Sequence, residues 1–463
     1  LFTDCTAVTG GGIGGAQTTE GCAFVRCHAD ENGGGWRNPV YGGKYLKDVI
    51  IRNCTFTDCS AQNWGGGASC RGRVDGNDNS QVLGCTFTRC VASTKNGGGV
   101  DDAFVIDGCS FQSCKAMNGG GTSNSGSVLH CSFTDCTAST GGGGAWDVLT
   151  VSDCTFTGCS AADGGGASEV LTAENCTFKN CGAAHGGGMR LWDTGVYKIS
   201  NCVFENCTAT MWSGGVHGGQ GQVGTITKDC TFVGCSAVNG GGCSYFETVE
   251  GCTFKNCTAT TEDGGAMCVG NKVLRCRIEG CSAGRNGGAM GWVGELRASL
   301  LLRNSAAYFG GGCFSTSSYS CTYVGNSAPG DSTTSAIWGI QSSARNCIFY
   351  GNSYEGGTNC VNVNFSTDFC DLAHDDYHLS TKAYMPDRFI GELKDGDRIL
   401  SGSEMAGMQE GLYYSELGSY VLCQSFGASV GVGNSGLYTG STFCQFNGLC
   451  ICINLTPIEI PLY

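Results

Sequence analysis

Large apolar residues return along most of the chain at one fixed phase. The stretch Cys54-Thr55-Phe56-Thr57-Asp58-Cys59-Ser60-Ala61 is repeated around Cys154, Phe156 and Cys159, and again around Cys252, Phe254 and Cys257. With the first Cys of each unit as origin, a bulky apolar residue follows two positions on. This column runs from Phe24 through Phe56, Phe156 and Phe254 to Ile278, Leu301, Tyr323 and Phe349. A second Cys follows at five, from Cys27 to Cys281, and is replaced by Asn304, Asn326 and Asn352 in the last units. Ala follows at seven, from Ala29 to Ala328, and a β-branched or apolar residue such as Ile51, Val82 or Val151 stands three before the origin.

Inside short pieces these columns alternate with period two, which predicts strands. The parity breaks before the origin and again between Phe and the second Cys, and each break reads as a corner. About three short strands per unit follow. A unit of roughly 22 residues cannot bury its own core, so neighbours must stack. The predicted fold is an all-β, right-handed parallel β-helix (a solenoid) of about 14–15 rungs over residues 1–353, each rung at the strand spacing of about 4.8 Å. Gly65-Gly66-Gly67 and Gly164-Gly165-Gly166 keep strict phase with the Phe column, which marks a corner and not a linker. The pattern stops near Tyr354. Residues 354–463 read as a mostly β cap or small domain.

Composition narrows the class. The chain has 79 Gly and 5 Pro without a Gly-X-Y period, which excludes collagen. Its apolar and aromatic content excludes a disordered chain. A net charge of −14 without a Lys/Arg cluster argues against nucleic acid as a partner. The 35 cysteines point to a secreted or cell-surface, extracellular protein, and their odd number leaves at least one thiol unpaired. No apolar run is long enough for a membrane-spanning helix, and no signal peptide is visible. Leu1-Phe2-Thr3-Asp4-Cys5 reads as a unit lacking its first Cys, so the array is expected to begin inside a rung, with an uncapped start suited to end-to-end stacking.

Candidate chemistry is sparse. The two Cys columns, including Cys54, Cys59, Cys154, Cys159, Cys252 and Cys257, form uniform ladders that do not group into fours as zinc requires. They are expected to be structural, a packed mixture of thiols and disulfides between adjacent rungs. No cofactor or metal is expected. Sequons place candidate glycans at Asn53, Asn175, Asn206, Asn256, Asn364 and Asn454. Thr55/Thr57, Thr86/Thr88 and Thr155/Thr157 flank Phe on the outer face, and such Thr pairs raise ice binding as one alternative, against plain strand propensity. Asp75-Gly76-Asn77-Asp78-Asn79 has alternate oxygen ligands but lacks the distal Glu of a calcium loop, so it reads as a surface turn. His374 and His378 would share a side if helical, near Asp371 or Asp375. A concentration of Asp75, Asp78, Asp101 and Asp102 with Arg71 and Arg73 is the one place where a polysaccharide-active lyase or hydrolase could set its carboxylates.

The late units read Leu301-Leu302-Arg303-Asn304, Tyr323-Val324-Gly325-Asn326 and Phe349-Tyr350-Gly351-Asn352, with Gly264-Gly265-Ala266 and Gly287-Gly288-Ala289 at the Gly corner. This resembles the Phe-x-x-Asn and Gly-Gly-Ala-Ile repeats of the polymorphic outer membrane protein family over residues 1–353. The chain departs from that pattern by placing Cys where Asn is usual, as Cys-rich surface proteins of single-celled eukaryotes do. The resemblance implies a surface-exposed β-helical adhesin. The expectation is therefore a non-enzymatic structural or adhesive surface protein. Its partners would be copies of itself, other surface proteins, glycans or cell-surface receptors, with stacking into a filament or appendage as one form.

Overall fold

A computed structural model describes residues 1–38, 40–41, 44–70, 79–191, 196–219, 225–330, 336–339, 343–345 and 347–352, and beyond these the backbone of strands at 361–363, 369–371, 376–379, 443–446 and 449–452. Every element among the described residues is a strand, and the repeats coil into a parallel β-solenoid of about 14 turns. The chain falls into two compact units. One comprises Leu1–Thr248 with Cys252–Thr261 and Ala266–Gly270; the other comprises Val249–Gly251, Glu262–Gly265 and Asn271–Tyr463.

In the first unit each rung has three faces. The Phe face pairs Thr55–Thr57 with Thr86–Thr88 in parallel, Phe56 opposite Phe87, and repeats this register rung after rung. The Ala face places Ala61 opposite Ala29 and Ala92. The third face carries the longest strands, such as Thr122–Leu129, Ala145–Ser152 and Ala167–Glu174. These bend midway at Asn124, Asp147 and Glu169, all with left-handed backbone. The alternation of columns did not anticipate that bend.

The core is built by repetition. From Phe2 to Phe254 successive rings stack with centroids 4.5–5.0 Å apart and planes within 10°. The rings from Phe24 onward are fully buried, each stabilising the stack by about 2 kcal/mol. Both corners expected from the parity breaks are present. The residue before each Cys is left-handed, as at Asn53 (φ 52°) and Asp58 (φ 54°), where Asn, Asp and Gly are the favoured types.

The Gly run has a separate reason at each position. Gly142 has φ +62°. A Cβ on Gly143 would lie 2.2 Å from the Gly165 carbonyl oxygen of the next rung. A Cβ on Gly144 would lie 2.6 Å from the Phe156 ring. In the second unit Ala289 occupies that third place, and the residue next in the bulky column is Leu301, not an aromatic. Across the array, Gly precedes an aromatic ring from Gly12–Phe24 to Gly312–Tyr323, and Ala precedes Ile278 and Leu301; Ala336 before Phe349 departs from this rule.

The Cys columns correct one expectation. Cys54, Cys59, Cys154, Cys159, Cys252 and Cys257 carry thiols, and no disulfide joins the ladders among the described residues. Stacked residues send their Cβ atoms out in parallel, which cannot reach the near-perpendicular dihedral of a disulfide without backbone movement. The sulfur acts as a hydrogen-bonding group instead. The N–H groups of Cys54, Cys85, Cys109 and Cys131, just past the left-handed corner, each donate to the next rung's first-column Sγ at 3.3–3.4 Å. At the second corner the thiols of Cys59 and Cys90 donate to the carbonyls of Phe24 and Phe56 at 3.5 Å.

The second unit makes the same connections with other side chains. Cys276 N–H donates to Ser299 Oγ at 3.1 Å, and Cys281 N–H to Asn304 Oδ1 at 2.9 Å. Asn304 Nδ2 donates to the Ile278 carbonyl, and Asn326 Nδ2 to that of Leu301, both at 3.0 Å. Past residue 352 the described backbone forms further strands. Phe369–Asp371 pairs antiparallel with Asp376–Leu379, so Asp371 and His378 lie on strands and not on the helix that would have aligned His374 with His378. His374 and Asp375 lie outside the described residues.

Candidate functional site at the Gly corner

Side chains that differ between rungs gather on either side of the Gly run. The column before it holds Asn118, Asp163, His185 and Trp212; the column after it holds Asp101, Ser123, Arg190, His217 and Ser244. The glycines between are themselves buried.

Of the carboxylates singled out from sequence, Asp101 and Asp102 are here and are buried, at 2% and 3% exposure. Asp101 Oδ1 accepts from Ser123 Oγ at 2.8 Å and from Asn124 Nδ2 at 3.0 Å. It serves the rung contact and is not presented to solvent. Arg71, Arg73, Asp75 and Asp78 lie outside the described residues. Asn79 donates to Asp48 Oδ1 at 2.9 Å.

Asn53, Asn175, Asn206 and Asn256 all occupy left-handed corners and are exposed. Asn364 and Asn454 lie outside the described residues. The Thr pairs meet each other in register at Thr55/Thr86 and Thr57/Thr88, while Thr155 faces Thr177 and Thr157 faces Thr134. Ser110 and Gln112 follow Thr86 and Thr88, and an ion pair of Lys179 with Glu205 at 2.9 Å occupies the same face farther on. No extended Thr plane results.

The densest chemistry was not read from the sequence. Asp163, beside Gly164, binds His185 Nδ1 through Oδ1 at 2.9 Å and Arg190 Nη1 through Oδ2 at 2.7 Å. One carboxylate thus holds two cationic or hydrogen-bonding side chains from the adjacent rung. His217 lies beyond them, its ring centroid 5.6 Å from that of His185. It is buried, and that burial, reinforced by Arg190 and His185, pushes its pKa down to about 3, so the imidazole is neutral. Trp212 and Tyr245, both half-buried, stand with centroids 5.1 Å apart, and the His217 ring meets Tyr245 edge-on at 5.2 Å.

One backbone feature singles out this rung. The first position of the Gly run is left-handed at Gly10, Gly33, Gly65, Gly97, Gly119, Gly142, Gly164, Gly186, Gly240, Gly264, Gly287 and Gly310, but here it is Ser213, at φ 59°. A non-Gly residue there costs roughly 1–2 kcal/mol. The Ser213 hydroxyl hydrogen-bonds Ser244 and lies 3.5 Å from His217 Nδ1. Left-handed non-Gly residues recur at the other corners of the rungs, so what sets Ser213 apart is its place at the head of a Gly run and a hydroxyl turned into the polar cluster. The signal was available in the sequence as Trp212-Ser213-Gly214-Gly215, the one Gly run with its first Gly replaced.

Among the described residues no group of three or more His, Cys, Asp and Glu is placed to hold a metal ion, and no helix is long and apolar enough to cross a membrane. Residues 90–251, the rungs that carry this cluster, match the family described as the right-handed β-helix region. No curated protein and no solved structure matches the chain.

Proposed function

We propose that the chain is an extracellular, structural and adhesive surface protein, a β-helical scaffold that presents a binding site at its Gly corner. One observation carries this reading. In the first unit the interior repeats Phe, Cys and Ala rung after rung, whereas the side chains flanking the Gly run change from rung to rung and gather Asp163, His185, Arg190, Trp212, His217 and Tyr245 at one corner. A scaffold of identical rungs with one differentiated surface site suits recognition, since fold alone confers no activity. The exposed sequon corners at Asn53, Asn175, Asn206 and Asn256 agree with passage through a secretory route.

The test is adhesion of the purified full chain to cells and extracellular matrix. Trp212→Ala is expected to reduce adhesion several-fold with an unchanged unfolding midpoint. Equal adhesion by the folded variant overturns the reading.

A second reading, a polysaccharide lyase or hydrolase, is favoured by the Asp163–His185 pair, in which a carboxylate orients an imidazole as a general base requires. It predicts depolymerisation of acidic glycans that is lost in Asp163→Asn.

A further inference from the structure

We infer that Asp163, His185, Arg190, Trp212, His217 and Tyr245 form a site for a neutral saccharide unit of a glycan chain, which deepens the adhesive reading and rests on it.

Charge within the cluster is balanced. Asp163 and Arg190 meet at 2.7 Å, so the strongest positive group in the cluster is already matched by a carboxylate. His217 adds no charge, because a buried imidazole beside a guanidinium stays unprotonated. An anionic ligand finds no unmatched cation here, and a cationic one would have to displace Arg190 from Asp163.

The shape of the cluster then favours a polyhydroxylated ring. Trp212 and Tyr245 are half-buried and inclined at 57° to each other, giving two partly open aromatic surfaces. Such surfaces cover the C–H face of a pyranose, while directional donors and acceptors select its hydroxyls. His185, fixed by Asp163 through Nδ1 at 2.9 Å, keeps Nε2 for a hydroxyl. The neutral His217 is buried behind these groups and holds Tyr245 edge-on, a positioning role. The four rings belong to three consecutive rungs, and the rung spacing of about 4.8 Å is close to the length of one sugar residue. A chain laid along this corner, over the half-buried Trp212 and Tyr245, would therefore present successive units to successive rungs.

Ser213 supplies an observation independent of charge and rings. It keeps a left-handed non-Gly residue where every other described run uses Gly, and its hydroxyl touches the groups that buttress Tyr245 and His217. It acts as a positioning residue.

The experiment is a screen of the full-length chain against arrayed neutral and acidic glycans, followed by calorimetric titration with the best neutral oligosaccharide. The expected result is binding of neutral glycans that is insensitive to salt. Trp212→Ala and Tyr245→Ala should each weaken it at least tenfold. Ser213→Gly should weaken it several-fold while raising the unfolding midpoint, which separates loss of the site from loss of the fold.

Three results overturn the inference: binding confined to acidic glycans and abolished by salt, neutral-glycan binding unchanged in Trp212→Ala, or no glycan binding at all. If adhesion persists and depends on Trp212 while glycans fail, the saccharide class is wrong and the adhesive reading stands. If adhesion itself is absent, the adhesive reading falls with it.

Discussion

The rule linking the third glycine of each run to the ring of the next rung can be tested at Gly144 and Phe156. A Cβ at Gly144 would lie 2.6 Å from Phe156 Cδ1 and 2.8 Å from both Phe156 Cε1 and the Gly166 carbonyl oxygen. The ring cannot move aside, because it is held between Phe133 at 4.6 Å and Phe178 at 4.7 Å. Overpacking of this kind costs about 2 kcal/mol. Phe156→Leu removes two stacked ring pairs at roughly 1 kcal/mol each, so it also costs about 2 kcal/mol. Independent effects would sum to about 4 kcal/mol in the double variant. The structure predicts otherwise. Ala289 with Leu301 is the native form of that double variant in the second unit, and there the Ala289 N–H still donates to the next rung's Gly312 carbonyl at 3.0 Å. The double variant should therefore be only about 2 kcal/mol less stable than the parent, a coupling of roughly 2 kcal/mol. Hydrogen exchange of amides in 141–160, under conditions of local opening, reads this per rung without assuming global two-state unfolding. A double variant whose loss equals the sum of the singles would refute the steric account of the Gly run.

Three further outcomes follow from named contacts. Cys154→Ser should change the denaturation midpoint little, because a serine hydroxyl already accepts the corner N–H at Ser299, whereas Cys154→Val leaves Cys131 N–H without its acceptor and should cost about 1–3 kcal/mol in the same measurement. Ser213→Gly should stabilise by about 1 kcal/mol, the relief of left-handed strain less one hydrogen bond, and a lower midpoint would show that the strain is not real. His217 has a folded pKa of about 3, below the ordinary value of 6.5. Its contribution is intact above pH 6.5 and is lost as pH falls from 6.5 towards 3, when the unfolded chain takes up the proton first. The full effect is on the order of 5 kcal/mol, and His217→Asn should flatten the midpoint-versus-pH curve over that window.

The Phe, Ala and Gly columns were legible in the sequence because stacking makes each rung the environment of the next. A residue that packs well once is required again a rung later. The corners were legible for a related reason: a left-handed residue resets which side chains point inward, and that appears as a break in parity. The bends at Asn124, Asp147 and Glu169 were not legible, since left-handed positions there accept residues as different as Asp, Glu and Tyr245. The candidate site escaped because its members come from separate rungs and no local spacing unites Asp163, His185 and His217. What the chain did offer was a local irregularity, Ser213 in place of Gly. Of the charged concentration picked out from the sequence, Asp101 serves to bond Ser123 and Asn124.

The ladders change what cysteine means in this chain. The inference from 35 cysteines to an oxidising compartment passes through disulfides, and the ladders hold thiols. Burial pushes the Cys90, Cys114 and Cys136 thiols well above their ordinary range, which keeps them protonated and poor nucleophiles. Their task is to meet the backbone groups exposed by each corner, and Ser299, Asn304 and Asn326 meet them equally in the second unit. Cys and Asn are thus alternative solutions to one problem of hydrogen-bond satisfaction, Asn with shorter and stronger bonds, Cys with a side chain that costs less to bury. At the junction of the two, Cys281 N–H donates to Asn304 Oδ1, and beyond it Asn304 and Asn326 each donate to the next Asn in a ladder of their own. The case for an extracellular setting then rests on the sequons at exposed corners, and the differentiated chemistry rests on the Gly run whose first position is Ser213.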